Sequence, residues 1–274
     1  MPGAADEHKR PVLVHIVADY GHGDLAFAEV VQRIRTHLPD AEPVLTPVPA
    51  FATLAAGFCI AQLGLNAAPP GTIVYHNVAP REDDETAREE NAGEALTYAR
   101  LPTGVRVIGV NAGHALSFVR EAAEELRLAA APDAGSQFRS RDLFPQAAAA
   151  IALGEPDAPG AELDRGSVPA VPDGRIAYVD GYGNLKTTVR ADRSGVEDDA
   201  AVLVRVGDRA LEATATTGTF AVEHGGISFA PGSSGWTTPD GQDVRWMEVF
   251  LRGGNAWEAF GRPPVGTELT VESR

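Results

Sequence analysis

Cysteine, basic residues and long apolar runs are all scarce in this 274-residue sequence, and each scarcity excludes a class of protein. The single cysteine, Cys59, can form no intrachain disulfide and excludes a metal site built on thiolates. Only 23 Lys and Arg residues stand against 38 Asp and Glu, so the formal net charge of −15 excludes the basic face that phosphate backbones require. No run reaches the roughly 18 apolar residues of a membrane span, and the polar start MPGAADEHKR lacks the apolar segment of a signal peptide. We therefore expect a cytoplasmic protein with no nucleic-acid partner and no membrane partner.

The rest of the composition is that of a folded globular protein. Hydrophobic residues make up 44% and charged residues 22% of the chain, close to the values of ordinary domains. A segment rich in proline, glycine and acidic residues, 154–174, separates two regions with different apolar patterns. We predict an N-terminal domain at 8–160, a linker at 161–174 and a C-terminal domain at 175–274.

The apolar patterns on the two sides of this linker predict different folds. On the N-terminal side, continuous apolar runs indicate buried strands at 12–18, 72–78 and 105–111. Helical spacing predicts helices at 25–38, 52–63, 115–128 and 142–153. On the C-terminal side, short runs between glycine-rich turns predict strands at 175–180, 201–206, 209–213 and 245–251. The sequence thus predicts an α/β N-terminal domain with a mostly parallel sheet, followed by a small all-β barrel.

Polar residues directly after the predicted strands are the first candidates for a site, because ligands of open α/β sheets bind at the carboxyl ends of the strands. Asp19 follows the first strand, where its carboxylate could hold a ribose diol or cap the next loop. His22, His76 and His114 also lie near strand ends. Their separations match no metal-ligand pattern, which favours solvated or hydrogen-bonded histidines. The segment FRSRD at 138–142 could bind an anion at a helix start or form a local salt bridge.

Five segments, in order along the chain, resemble one family: the S-adenosylmethionine (SAM) hydroxide adenosyltransferases, or SAM hydrolases, with their relatives the fluorinases and chlorinases. VADYG at 17–21, followed by Asp24, resembles the T-D-F-G…D opening of that family. FRSRD at 138–142 resembles its F-[HY]-[GS]-R-[DE], and ALG at 152–154 its A-x-G. YVDGYGNLKT at 178–187 is similar to I-D-x-F-G-N-L-x-T, and GGNA at 253–256 to N-G-G-N-A-A.

The resemblance implies an architecture and a ligand site. Members of this family are usually homotrimers, with SAM held between the N-terminal domain of one subunit and the C-terminal domain of the next. Flat apolar walls with a few polar groups suit a purine, and a negative site suits a sulfonium cation. The implied roles are ribose binding for Asp19, a cover over the sugar for Phe51, contact with the methionine amino group for Asp24 and Asp180, adenine recognition for Asn184, Asn255 and Ala256, and stacking on adenine for Tyr182 and Phe220.

The groups that would activate the nucleophile differ from those of the family. Ala79 stands where the SAM hydrolases have the Asp of an Asp-Arg-His set and where the halogenases have a tyrosine. Arg139 stands where the hydrolases have the His, and Arg81 or Arg88 could supply the arginine. Ser140 corresponds to the serine that contacts the halide in the fluorinase.

Arg139 and Ser140 are therefore the candidate catalytic residues, because together they could bind a nucleophile. Arg139 could equally pair with a nearby acid such as Asp142. We expect an enzyme that binds SAM, or a close 5′-substituted adenosine, and displaces methionine from C5′ with water as the default nucleophile. We expect no metal and no cofactor beyond SAM as substrate. The alternatives are an inactive or regulatory adenosine- or SAM-binding protein, a halide-using adenosyl transferase, and an enzyme acting on an unrelated small molecule.

Overall fold

The computed structural model of the protein describes residues 11–80, 93–132 and 134–274. The polar start of the chain, Arg81 and Arg88 lie outside these residues. None of the described helices is long and apolar enough to cross a membrane.

The N-terminal half is built around one sheet with helices against it. Its elements are β1 (Val12–Ala18), α1 (Leu25–His37), β2 (Ala41–Pro47), α2 (Thr53–Gly64), β3 (Ile73–Asn77), β4 (Leu96–Arg100), β5 (Arg106–Val110), β6 (Glu125–Ala129), α3 (Arg139–Asp142), α4 (Phe144–Leu153) and β7 (Pro159–Glu162).

The C-terminal half contains a second sheet and one short helix. Its elements are β8 (Ile176–Val179), β9 (Leu185–Arg190), β10 (Ala201–Val206), β11 (Arg209–Ala215), β12 (Ile227–Thr237), β13 (Asp243–Leu251), α5 (Ala256–Ala259) and β14 (Leu269–Ser273).

The N-terminal sheet is mixed, so the prediction of a mostly parallel sheet is wrong. Its strand order is β2-β1-β3-β5-β4-β6-β7. The pairings of β1 with β2, β1 with β3 and β3 with β5 are parallel, whereas those of β4 with β5, β4 with β6 and β6 with β7 are antiparallel. The physical reason is the short connection between β4 and β5, closed by the hydrogen bond from Leu101 N to Val105 O. A parallel connection needs a crossover of a dozen or more residues.

The C-terminal unit is an open, curled sheet, so the prediction of a small all-β barrel is also wrong. It has seven strands, as many as the N-terminal sheet, in the order β14-β10-β11-β12-β13-β9-β8. The pairing of β11 with β12 is parallel, which makes this sheet mixed as well. Its short edge strands β8 and β14 approach each other only near their ends, where Arg175 forms an isolated bridge to Glu268.

The predicted helix at 115–128 is wrong, although its apolar spacing is helical. Residues 115–122 form successive turns, and Glu125–Ala129 is the strand β6. The backbone of this segment joins the sheet instead, since Glu124 N donates to Arg100 O and β6 pairs with β4. Tertiary hydrogen bonding has overridden local propensity here. By contrast, α2 at Thr53–Gly64 confirms the predicted helix at 52–63.

The two sheets share one apolar core, which fixes their relative position. The ring of Phe58 on α2 stacks on Tyr178 of β8 with centroids 6.1 Å apart, and Phe118 meets Trp246 of β13 edge-on at 5.4 Å. Burial of aromatic rings in these geometries is strongly stabilising. Next to them, Gln62 Oε1 accepts a hydrogen bond from Gly235 N.

Candidate functional site

The loops at the carboxyl ends of β1 and β3 form a crevice. Because the sheet order is β2-β1-β3, the chain leaves β1 toward one side and returns to β3 on the other side. At such a reversal of strand order the two connections diverge, and ligands of open α/β sheets bind there. Asp19 and Tyr20 follow β1, and Asn77 ends β3, so these three side chains lie at the crevice.

Asp19 fixes the conformation of Phe51 across the crevice. The Phe51 N–H donates to Asp19 Oδ2 at 2.9 Å. Phe51 has φ of 62°, in the left-handed region that a bulky side chain rarely adopts, and its side chain is 46% exposed. The sequence left open a cap on the loop that directly follows Asp19, whereas the hydrogen bond in the structure runs to the loop between β2 and α2. The ribose-binding role stays a prediction. A carboxylate has several acceptor sites, so this hydrogen bond leaves capacity for a ligand.

Asp24 is the N-cap of α1. Its exposed carboxylate accepts a hydrogen bond from Ala26 N at 2.8 Å. This arrangement satisfies one of the free N–H groups at the start of the helix.

Ser140 lies in a small cluster of hydroxyl groups that sequence analysis did not identify. Its Oγ is 2.6 Å from the Tyr20 hydroxyl, and its backbone carbonyl accepts a hydrogen bond of 2.6 Å from the Tyr75 hydroxyl. Burial raises the pKa of both tyrosines, so the two phenols are neutral at physiological pH. The contact between Tyr20 and Ser140 joins residues 120 positions apart, and no local pattern indicates it.

Arg139 is directed toward Glu94 and the ring of Phe144. Its guanidinium donates to Glu94 O at 3.0 Å, lies 3.9 Å from Glu94 Oε2 and stacks 5.1 Å from the centre of the Phe144 ring. The acid-pairing alternative named Asp142, but the residue that pairs with Asp142 is Arg141, at 2.7 Å. The hydrogen bond from Arg141 lowers the pKa of Asp142 to about 2.

Asp180 organises the turn between β8 and β9. Its Oδ1 accepts hydrogen bonds from Tyr182 N at 2.9 Å and from Asn184 N at 3.0 Å, and its Oδ2 accepts one from Asn184 Nδ2 at 3.0 Å. Behind this turn, Lys186 Nζ lies 3.7 Å from Asp180 Oδ2 and 2.9 Å from Glu248 Oε2. Glu248 is only 1% exposed, so this ion pair is deeply buried.

A second loop packs directly against the Asp180 turn. Trp257 N donates to Gly183 O at 2.8 Å, and Gly183 has φ of 81°. A Cβ at Gly183 would stand 2.1 Å from Asn255 Oδ1, so only glycine fits. Asn255 caps α5 by accepting a hydrogen bond from Glu258 N, and Ala256 is buried beneath it.

Tyr182 and Phe220 are the two most exposed large apolar side chains among those described. They are 81% and 83% exposed. Arg252, which directly follows β13, holds the Phe220 segment in place. Its guanidinium donates to Phe220 O at 3.4 Å, and the backbone N–H of Arg252 donates to Gly226 O at 3.0 Å. The two expected adenine-stacking rings are therefore presented to the outside of a single chain.

A cleft of about 650 Å³ separates the loop after β2 from the loops of the C-terminal sheet. It brings together three of the predicted site residues, Phe51, Asp180 and Asn255. The cleft lining does not include Asp19, Asp24, Arg139, Ser140, Tyr182, Asn184, Phe220 or Ala256. It does include Trp257 and Arg262, which sequence analysis missed because no motif marks them.

The three strand-end histidines have different environments. His22 is exposed. His114 Nδ1 is 3.1 Å from Ser117 Oγ. His76 is fully buried, and neither ring nitrogen has a hydrogen-bond partner among the described residues, so the expectation of a solvated or hydrogen-bonded side chain is wrong for His76. Within the described parts of the chain, no three His, Cys, Asp or Glu side chains form a group that could hold a metal ion.

Comparison with known proteins shows the fold and no more. No family model and no curated protein matches the chain. An uncharacterized conserved protein from Thermotoga maritima is similar in structure, with 20% identity and a TM-score of 0.73 over 95% of this chain and 100% of that one. A conserved hypothetical protein from Thermus thermophilus is also similar, with 20% identity and a TM-score of 0.67 over 96% of this chain and 100% of that one.

Proposed function

We propose that this protein binds SAM, or a close 5′-substituted adenosine, and transfers the adenosyl group to water by displacement at C5′. One observation carries the proposal: Phe51, Asp180 and Asn255, far apart in sequence, line one cleft of about 650 Å³. These are three of the residues that the sequence resemblance assigns to the sugar, the amino group and the adenine. Asp19, the expected ribose ligand, is hydrogen-bonded to Phe51 at the edge of this cleft.

The cleft has the composition that such a ligand requires. Aromatic and proline side chains, including Phe51, Trp257 and Pro263, supply flat apolar walls, and Asp180 supplies a carboxylate. A volume of several hundred Å³ suits a ligand of nucleoside size. The net charge of −15 favours the approach of a sulfonium cation over that of an anionic nucleotide.

The reaction requires positioning more than acid or base chemistry. A lone pair of water forms the bond to C5′, and the C5′–S bond breaks with its electron pair remaining on sulfur, which becomes the neutral thioether of methionine. The water proton passes to solvent. Holding the nucleophile in line with the C5′–S bond and partly desolvated accounts for most of the acceleration in a displacement of this kind.

The outward-facing rings of Tyr182 and Phe220 support contact with a second subunit. Both rings are more than four fifths exposed, and aromatic side chains are enriched in the interfaces between protein subunits. We propose a homotrimer in which these two rings contact the next subunit. A cytoplasmic location belongs to the same proposal.

Product analysis tests the proposal directly. Purified protein is incubated with SAM, with and without chloride, and adenosine, chlorodeoxyadenosine and methionine are followed by liquid chromatography. We expect adenosine and methionine above a heat-inactivated control, and loss of both in Asp19→Ala. Asp157→Ala is the matched control, because Asp157 is an exposed aspartate next to β7, at the opposite edge of the sheet from β1 and β2.

The alternatives make different predictions in the same experiment. Tight binding of adenosine or SAM by calorimetry without any product would contradict catalysis and identify an adenosine-binding protein. Chlorodeoxyadenosine in the presence of chloride would identify a halide-using transferase. Absence of both binding and product would refute the assignment of the ligand.

A further inference from the structure

The pair of hydroxyl groups at Tyr20 and Ser140 is the feature that the proposed function does not yet use. Ser140 is buried, and its Oγ lies 2.6 Å from the Tyr20 hydroxyl. The peptide carbonyl of Ser140 is held separately by Tyr75, again at 2.6 Å. Tyr20 directly follows β1 and Tyr75 lies within β3, the two strands between which the strand order reverses.

Either hydroxyl can donate in the Tyr20–Ser140 hydrogen bond, and the chemistry of the two groups favours one direction. A phenol is a stronger acid than an aliphatic alcohol, so the phenol is the better donor and the serine oxygen the better acceptor. Among the described residues, Tyr20 is the side-chain partner of Ser140 Oγ. The serine proton is then left to donate to a ligand.

We propose that Tyr20 is a positioning residue for the nucleophile: its phenol orients the Ser140 hydroxyl so that the serine proton points at a lone pair of the attacking atom. This inference rests on the proposed displacement at C5′. The ring of Tyr20 is itself fixed, edge-on against Phe27 at 5.1 Å and against Phe138 at 5.8 Å. Tyr20 and Ser140 together supply one oriented hydrogen-bond donor and no general base. They therefore suit a nucleophile that releases its proton to solvent or carries no proton.

The contacts of these two residues favour Ser140 over Arg139 as the residue that binds the nucleophile. The Arg139 guanidinium lies against Glu94 and the Phe144 ring. The Ser140 hydroxyl, by contrast, is tied to the crevice through a residue that directly follows β1.

A double-mutant cycle tests this inference. Tyr20→Phe removes one hydroxyl and keeps the ring contacts, and Ser140→Ala removes the other. We expect each single variant to lower kcat about tenfold while the KM for SAM stays unchanged, because the donor acts on the nucleophile and not on SAM. The double variant should be no slower than Ser140→Ala, since one orienting bond is lost in both cases. Tyr98→Phe, at a tyrosine of β4 that is also buried, should match the unaltered protein.

Each outcome decides a different question. Turnover that Tyr20→Phe leaves unchanged, or multiplicative losses in the double variant, would overturn the positioning role and leave the proposed function standing. A raised KM with unchanged kcat would do the same, because the effect would then lie on substrate binding. Absence of turnover in the unaltered protein would overturn the proposed function and this inference together.

Discussion

His76 gives the folded protein a specific sensitivity to acid. The side chain is fully buried in β3, between Val17 of β1 and Gly109 of β5, and neither ring nitrogen has a hydrogen-bond partner among the described residues. A Cβ on Gly109 would lie 2.1 Å from the His76 ring, so the glycine provides the space that the ring occupies. Charging an imidazole at such a place is expensive, and burial lowers the pKa of His76 to about 3.

The sign and size of the effect follow from linkage. Well above pH 6.5 the imidazole is neutral in both the folded and the unfolded chain, and its titration has no influence on stability. As the pH falls from 6.5 toward 3, the unfolded chain binds a proton that the folded chain does not, so folding stability is lost progressively. Between pH 7 and pH 4.5, the loss from this one group is about 2 to 3 kcal/mol.

Urea unfolding at a series of pH values measures this loss. The free energy of unfolding of the unaltered protein should fall more steeply from pH 7 to pH 4.5 than that of His76→Leu, which has no group to titrate at this position. His76→Gln serves as a second variant should leucine pack poorly beside Gly109. The lowered pKa values of His15 and His114 affect all three proteins equally and cancel in the difference. Parallel curves for the unaltered protein and both variants would refute the reasoning.

Three further substitutions test contacts that stabilise the elements near the candidate site. Gly183→Ala should lower the free energy of unfolding, measured by thermal unfolding, by at least about 2 kcal/mol, because Gly183 has φ of 81° and an added Cβ would overlap with Asn255. Gly181→Ala should cost little because the space around Gly181 is open, and equal losses for the two variants would contradict this account. Lys186→Met should lower the free energy of unfolding in urea by about 3 kcal/mol, because it leaves the Glu248 carboxylate buried without its cation. The double variant with Glu248→Leu should recover most of that loss, and no recovery would show that the ion pair itself is needed for stability. Asp24→Ala should lower the free energy of unfolding in urea by about 1 kcal/mol, because α1 loses its N-terminal cap. An unchanged unfolding midpoint would show that the Asp24 carboxylate does not stabilise the fold.

Strands and helices with a strong internal pattern could be predicted, and their partners in the sheet could not. The run at 12–18 is β1, and the apolar spacing at 52–63 is α2, nearly to the residue. β4 has only five residues, and it reverses the direction of the sheet through a tight connection to β5. The sheet is mixed because of the strands with which β4 pairs. The spacing of apolar residues in a sequence does not indicate which strands pair or in which direction.

The candidate site divides in the same way. The segments containing Asp180 and Asn255 could be identified from the sequence because each resembles a motif, and in the structure the hydrogen bond from Trp257 N to Gly183 O places them side by side. The approach of Tyr20 to Ser140, and the orientation of Arg139 toward Glu94, depend on contacts between residues far apart in the chain. Such contacts have no signal in a single sequence.

The geometry of the cleft is set by residues that do not line it. Helix α2 begins just after Phe51, and strand β8 ends just before Asp180. The packing of α2 on β8 therefore fixes the distance between Phe51 and Asp180. The contact is made by Phe58 stacked on Tyr178, and close packing of this kind transmits small displacements instead of absorbing them. A substitution in this aromatic pair therefore changes the width of the cleft without touching a ligand. Affinity for the proposed ligand should consequently respond to substitutions in this aromatic pair as well as to those of Asp180 and Asn255.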